Sequence, residues 1–403
     1  MTRDGETGQV LVVDDHELNR DMLSRRLARQ GHEVALAENG REALEMARSH
    51  EFDLVLLDIM MPEMDGYQVL EALKADEALR HIPVIMISAA DQIESVVRCI
   101  EMGAEDFLPK PFNPVLLKAR VGASLEKKRL RDRERQYARS LERDLEIGRE
   151  IQAGFFPERL PQVAGWDVAA FFKAAKQVSG DFYDLFLLAG GSEVAVIIAD
   201  VCGKGVGAAL FMALFRTLLR AVADQNFALG AGGGNGQPPL SRAANLQNAV
   251  QLTNDYIART HGSAHMFATV FFGVLQPDSG ALSYINAGHE QPLLVRRGGG
   301  CERLEPTGPA LGMFPDMDFS LGQAQLQPGD ILLGFTDGVT EARDDAGHFY
   351  GERRLLQQAR APAVSASQVL QRIAQDVQAH AGGAPQSDDI TMVALRRSEA
   401  GNG

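Results

Sequence analysis

Over residues 9–110, short apolar runs alternate with helical periods five times. The runs at 9–13, 33–37, 54–57, 84–87 and 106–108 are rich in valine, isoleucine and leucine, and polar turns bound them. Between them, residues 18–30, 42–49, 68–75 and 94–102 repeat their apolar positions at helical spacing. Continuous apolar strands are buried on both faces, and strands alternating with amphipathic helices imply a doubly wound, five-stranded parallel sheet in an α/β fold.

Residues 126–150 abandon that pattern. Nine basic side chains interleave with seven acidic ones and no proline interrupts them. This predicts a long solvated helix supported by i,i+4 pairs. A seven-residue apolar step runs through Leu130, Tyr137 and Ile151, with Leu141 between, and Asp144 breaks it. The coiled-coil signal is therefore partial. A helix so polar gains little by packing alone, which favours a parallel homodimeric linker over a single exposed spacer.

Pro157 stops the helix, and a second strand-rich region follows. Strand-like runs fall at 168–172, 182–188, 193–199, 268–275, 282–286, 292–295, 319–326, 331–335 and 390–395. Helical periods fall at 206–223, 245–260, 352–359 and 367–380, and the glycine-rich residues 229–239 predict a mobile inserted loop. Many strands with paired helices suit two packed sheets flanked by helices. The expected division is a first domain at 1–123, a helical linker at 124–157 and a second domain at 158–397.

Composition narrows the function classes. The chain has 403 residues, a length that allows two or three domains, and 45% of them are hydrophobic, as in ordinary globular proteins. A net charge of -14 argues against nucleic acid as the main partner. Cys99, Cys202 and Cys301 have no paired spacing, which suggests a reducing compartment and no zinc site. The first residues carry no apolar signal core and no run approaches membrane-spanning length, so a cytoplasmic protein with no membrane partner is expected.

Ligand sites in parallel sheets lie beyond the carboxyl ends of the strands. There the first domain carries Asp14 and Asp15 after its first strand, Asp58 after the third, Ser88 after the fourth and Lys110 after the fifth. Two carboxylates can hold Mg²⁺, Asp58 can act as nucleophile, and Lys110 can neutralise a phosphoryl oxygen. Residues 9–121 resemble a response-regulator receiver domain throughout. The resemblance implies Asp58 as phosphoacceptor, Asp14 and Asp15 as the acidic metal pair with one Mg²⁺, Ser88 as switch hydroxyl and Lys110 as the lysine of the site. Phe107 stands at the aromatic switch position and brings no phenolic hydroxyl.

In the second domain an apolar, β-branched run ends abruptly at Asp200-Val201, followed by Cys202-Gly203-Lys204-Gly205 and an apolar helix. Three further acidic clusters border β-like runs: Gly180-Asp181 with Asp184, Thr336-Asp337-Gly338, and Asp388-Asp389 with Thr391. Carboxylates cost several kcal/mol to bury unpaired, so four such sets imply a compensating charge. Oxygen-only donors point to Mg²⁺ or Mn²⁺.

These clusters, with Asn286-Ala287-Gly288-His289 and Glu341, resemble in order the bacterial sporulation and stress-response branch of the PPM metal-dependent serine/threonine phosphatases, over about residues 147–395. That resemblance implies an α-β-β-α sandwich and two metal ions. Asp200 would bridge them beside the Val201 carbonyl, with Asp181, Asp337 and Asp388 completing the coordination. Asp184 and Asp389 are left between outer-shell partners and ligands of a further ion. A structural role is expected for Glu341, and a cap or packing role for His289 ahead of general acid catalysis. Lys204 is balanced between touching substrate phosphate and lying solvated in its turn.

A receiver joined to a phosphatase resembles a phosphorelay output enzyme. The expected partners are a sensor histidine kinase, which phosphorylates Asp58, and a phosphorylated substrate similar to an anti-sigma-factor antagonist. The rival from another class is a non-catalytic adaptor that binds a sigma-factor-pathway protein through a phosphatase-like domain. Degenerate ligands would favour the adaptor, whereas Asp181, Asp200, Asp337 and Asp388 are all present.

Overall fold

The structure is a computed structural model that describes residues 7–89, 93–231 and 241–399. The glycine-rich stretch expected to form a loop lies largely outside the described residues. The chain divides into two compact units, Met1–Glu142 and Arg143–Gly403.

The first unit alternates strand and helix: β1 Gln9–Val13, α1 Glu17–Arg29, β2 Glu33–Ala37, α2 Gly40–Ser49, β3 Leu54–Asp58, α3 Gly66–Ala75, β4 Val84–Ala89, α4 Ile93–Glu101, β5 Asp106–Lys110, and the start of α5 Pro114–Ala153. The strands form one parallel sheet in the order β2-β1-β3-β4-β5. Side chains alternate across it. Val10, Val12, Leu54, Leu56, Ile85 and Ile87 pack with Leu23 and Leu27 of α1 and Leu117 and Val121 of α5. Leu11, Val13, Val55, Leu57, Val84 and Met86 face the other way, onto α2, α3 and Cys99 of α4. Both faces are buried, which is why these strands read as unbroken apolar runs. Helix α5 is one continuous element of 40 residues that begins at Pro114, well before the composition changes.

The second unit contains β6 Trp166–Lys173, β7 Phe182–Leu188, β8 Glu193–Val201, α6 Val206–Ala231, α7 Arg242–His261, β9 Ala268–Leu275, β10 Ala281–Ala287, β11 Leu293–Val295, β12 Cys301–Arg303, β13 Gly322–Gln325, β14 Ile331–Phe335, α8 Asp337–Thr340, α9 Glu352–Arg360, α10 Ala366–Ala381 and β15 Ile390–Arg397. Two antiparallel sheets result, β13-β10-β9-β8-β7 and β12-β11-β14-β15-β6.

Val194, Val196 and Ile198 of β8 meet Leu332, Val393 and Leu395 of the opposite sheet. The alternate residues Ala195, Ile197 and Ala199 pack outward on Met212 and Phe215 of α6 and Leu246 of α7. On the far side, Leu333 and Phe335 pack on Leu355 of α9 and Ile373 of α10. The layers are therefore helix, sheet, sheet, helix.

Contrary to the sequence reading, residues Val206–Ala228 are long and apolar enough by composition to cross a membrane. Within this fold Met212, Phe215 and Leu219 of that helix are buried against the sheet. Its two arginines pair with Asp184.

Candidate functional sites

In the first unit, β1, β3 and β5 end at the same edge of the parallel sheet, with β4 between β3 and β5, and the residues at those ends converge. Ligand oxygens of Asp14, Asp15 and Asp58 all lie within 4.8 Å of one another. Asp14 is fully buried and Asp15 exposed. Lys110 Nζ donates to Asp14 Oδ2 at 2.9 Å and sits 2.9 Å from Asp58 Oδ2. Burial raises the Asp58 pKa, with Lys110 opposing and Asp14 and Asp15 adding repulsion. Burial alone would lower the lysine's pKa, but its bonds to Asp14 and Asp58 prevail and hold it raised. Three carboxylate oxygens at this spacing suit a hard divalent cation.

Ser88 lies at the end of β4, where its hydroxyl donates to the Ala89 carbonyl at 3.2 Å. Phe107 is half-buried against the core under α3 and α4. Sequence reasoning passed over Arg20. Its Nη1 donates to the carbonyls of Asp14 (2.8 Å) and Asp15 (2.9 Å), and Nη2 pairs with Glu38, so it fixes the acidic turn. An arginine in the helical period that directly follows the acidic pair was the available signal.

The second site gathers side chains from both sheets. Asp181 leads into β7 and Asp200 ends β8 in one sheet; Asp337 follows β14 and Asp388 precedes β15 in the other. Asp181 is buried and accepts hydrogen bonds at 2.7 Å from both Thr336 Oγ1 and Thr391 Oγ1, which reach it from the opposite sheet. Gly180 is required here because a Cβ would come within 2.8 Å of the Val201 carbonyl. At Gly338 a Cβ would lie 1.9 Å from the Asp389 carbonyl, so the two loops of the second sheet can meet only at a glycine.

Electrostatics mark the same cluster. Burial, then the charges of Asp337 and Asp388, pushes the Asp200 pKa up to about 7. Burial and Asp200 hold Asp181 well above the carboxylate range. Burial and Asp388 raise Asp337. Lys204 Nζ, 2.7 Å from Asp388 Oδ2 and 2.9 Å from the Ser387 carbonyl, is the nearby cation, and its bond to Asp388 raises its pKa. One half-exposed lysine leaves this crowd of carboxylates under-compensated, and an oxygen-only donor set fits Mg²⁺ or Mn²⁺. The cluster is looser than the receiver triad: among the described residues, no three of its ligand oxygens satisfy the same 4.8 Å convergence.

The remaining motif residues separate by environment. Asp389 uses its carboxylate on main-chain amides, accepting from Ala175 N at 2.7 Å and Gly180 N at 3.1 Å. Asp184 is fully buried away from the cluster, 2.9 Å from Arg216 Nη2 and 3.1 Å from Arg220 Nη1. His289 is buried; its Nδ1 is 2.9 Å from Thr269 Oγ1 and its amide donates to Asn286 Oδ1 at 2.8 Å. Burial drives its pKa down to about 3, so the ring is neutral at physiological pH. Thr269 pairs with Asp200 across the β8–β9 ladder, and its hydroxyl is 3.5 Å from the Asp200 carbonyl. Glu341 is exposed.

Comparison with known proteins places both regions of the chain in families. Residues 10–122 match the response regulator receiver domain. Residues 190–398, more than half of the chain, match the family described as stage II sporulation protein E (SpoIIE). The chain belongs to the SpoIIE family. Its sandwich is thus a PPM-type phosphatase domain carried behind a receiver.

Protein IcfG of Synechocystis sp. is 45% identical over 266 residues, 63% of this chain and 42% of that protein. Response regulator PleD of Caulobacter vibrioides is 45% identical over 115 residues, 28% of this chain and 25% of that protein. The chain thus spans less than half of either relative. Phosphoserine phosphatase RsbU of Bacillus subtilis is 29% identical over 263 residues, 63% of this chain and 70% of that protein.

Proposed function

We propose that this SpoIIE-family chain hydrolyses phosphoserine or phosphothreonine on a partner protein, with metal at Asp200, and that phosphorylation of Asp58 controls it. The observation that carries this reading is the under-compensated carboxylate cluster built from both sheets. Bound Mg²⁺ or Mn²⁺ would supply a water activated for attack and offset the charge on the phosphoryl oxygens.

The chain's own residues then have distinct tasks. Asp200, Asp181, Asp337 and Asp388 hold two ions, beside the Val201 carbonyl. Thr336 and Thr391 keep Asp181 oriented. Asp389 ties the strand-end loops together through Ala175 and Gly180. In the receiver, Asp14 and Asp15 hold one Mg²⁺, Asp58 takes the phosphoryl group from a sensor histidine kinase, and Lys110 neutralises it. Ser88 is the hydroxyl that follows the change.

RsbU is a phosphoserine phosphatase by name, which supports a phosphorylated protein substrate of the anti-sigma-factor antagonist class. The working division is receiver 1–123, helical linker 124–157 and phosphatase 158–397. Exposed Leu130, Tyr137, Leu141, Ile147 and Ile151 on α5 support pairing of the linker with its copy in a homodimer.

The test uses the full chain with Mn²⁺ or Mg²⁺. Phosphoprotein hydrolysis should vanish in chelator and in Asp200→Asn, with the fold retained. Borohydride trapping after treatment with a small phosphodonor should label Asp58 and nothing in Asp58→Ala. Turnover undiminished in Asp200→Asn rules out the metal assignment, and an inactive parent protein that still binds its partner leaves the adaptor.

A further inference from the structure

Beside the second site lies a cavity of about 350 Å³, within the size range that encloses ligand groups. Its lining includes Gly338 and Ser387, the immediate chain neighbours of Asp337 and Asp388. Its apolar lining comes from Phe171 of β6, Ala342 after α8, Ala374 and Val377 of α10, and Ile390 of β15. Along α10 the small Ala374 and Ala381 fall one heptad apart and leave the space open. Gln371, Gln375 and Gln378 stand around them and can bond a peptide backbone.

Among the described residues no carboxylate lines the cavity, although carboxylates crowd the adjoining cluster. The charged lining residues are Lys173 and Arg343. Arg343 is set over the Phe349 ring at 4.5 Å. The wall is tied to the metal-site loop by one side chain: Gln386 Nε2 donates to the carbonyls of Lys173 at 2.9 Å and Asp388 at 2.8 Å. A seryl phosphate bound through metal ions that Asp337 and Asp388 would hold has Gly338 and Ser387, and so this cavity, next to its flanking residues.

We propose that the cavity is a specificity pocket for an apolar side chain of the phosphoprotein substrate, within a few residues of the phosphorylated one and on an acidic segment. The two lining cations select the acidic segment, and the apolar floor selects the side chain. This rests on the phosphatase reading above and adds the substrate class.

The experiment uses the full chain with Mn²⁺ and two kinds of substrate. p-Nitrophenyl phosphate engages the metal cluster alone. Phosphoserine peptides carry Leu, Ala, Glu or Lys at one position at a time on either side of the phosphoserine. At one position Leu should exceed Ala by about tenfold in kcat/KM, the scale of a filled apolar pocket. Filling the cavity with Ala374→Phe should erase that preference to within about twofold and leave p-nitrophenyl phosphate turnover unchanged. Ala381→Phe fills it from the next turns of α10, and serves should the first variant fail to fold.

No Leu preference at any position, or a preference that survives both filled variants, overturns the pocket while p-nitrophenyl phosphate turnover stands. A parent protein that hydrolyses neither kind of substrate overturns the phosphatase reading, and the pocket falls with it.

Discussion

Replacing Asp184 with asparagine separates two roles that the Gly180-Asp181…Asp184 motif leaves open. Asp184 is fully buried and accepts from Arg220 Nη1 at 3.1 Å through both oxygens, with Arg216 Nη2 at 2.9 Å. Burial raises its pKa despite the two guanidiniums. Removing one partner of a buried ion pair costs about 3–5 kcal/mol, because the other charge is stranded. The arginines are not equal here. Arg220 is 38% exposed and regains water, while Arg216 is 13% exposed and its Nε already lacks a partner among the described residues. The lower end, about 3 kcal/mol, is therefore expected.

For a unit of this size that corresponds to a drop of roughly 6–12 °C in melting temperature. Scanning calorimetry of the full chain reads it from the transition of the second unit, and titration calorimetry reads Mn²⁺ affinity in the same samples. The expected result is a lowered transition with unchanged Mn²⁺ affinity. An Asp184→Leu/Arg216→Met double replacement should recover much of the loss, since a buried pair can be exchanged for apolar contact. A melting temperature within about 2 °C of the parent, with Mn²⁺ binding weakened tenfold or more, would refute the structural assignment and make Asp184 a ligand.

Three further outcomes follow from the geometry. The Asp200 pKa of about 7 stands above its ordinary 3.8, so the folded metal-free protein holds a proton that the unfolded chain releases. Chelated protein should lose stability as pH rises between those values, and Mn²⁺ affinity should fall about tenfold per unit below about pH 7; a dissociation constant flat from about pH 5.5 to 7.5 contradicts this. Gly338→Ala forces a methyl into the Asp389 carbonyl and should cost about 1–3 kcal/mol by urea unfolding, whereas an unchanged midpoint denies the close approach. Asp144→Leu fills the break in the α5 stripe and should strengthen dimerisation and make phosphatase activity insensitive to Asp58 phosphorylation. A monomer by light scattering that still responds normally excludes the paired-linker mechanism.

Much of this fold is legible in the sequence because its core strands obey simple parity. Phe182–Leu188, Ala268–Leu275 and Ile331–Phe335 emerge within the bounds predicted for them. What escapes prediction is held by distant contacts. Cys301–Arg303 is short and largely polar, and it is a strand because Leu293–Val295 pairs with it. The run predicted at 319–326 narrows to Gly322–Gln325, since Phe319 instead packs in the core beneath α6 and α7. The four acidic clusters were visible as strand-end motifs. Their sorting was not: of the two arginines that take Asp184 out of the cluster, Arg220 lies 36 residues away. The threonines that orient Asp181 lie 155 and 210 residues away. Only the closed sandwich brings such partners together.

Because the two sheets each contribute carboxylates to one cluster, the cluster works as a gauge of their alignment. A slip of either sheet by a fraction of an ångström, too small to expose the core between Ile198 and Val393, would still separate Asp200 from Asp337. A mutational survey scored by metal affinity should therefore light up deep apolar positions that a survey scored by folding passes over.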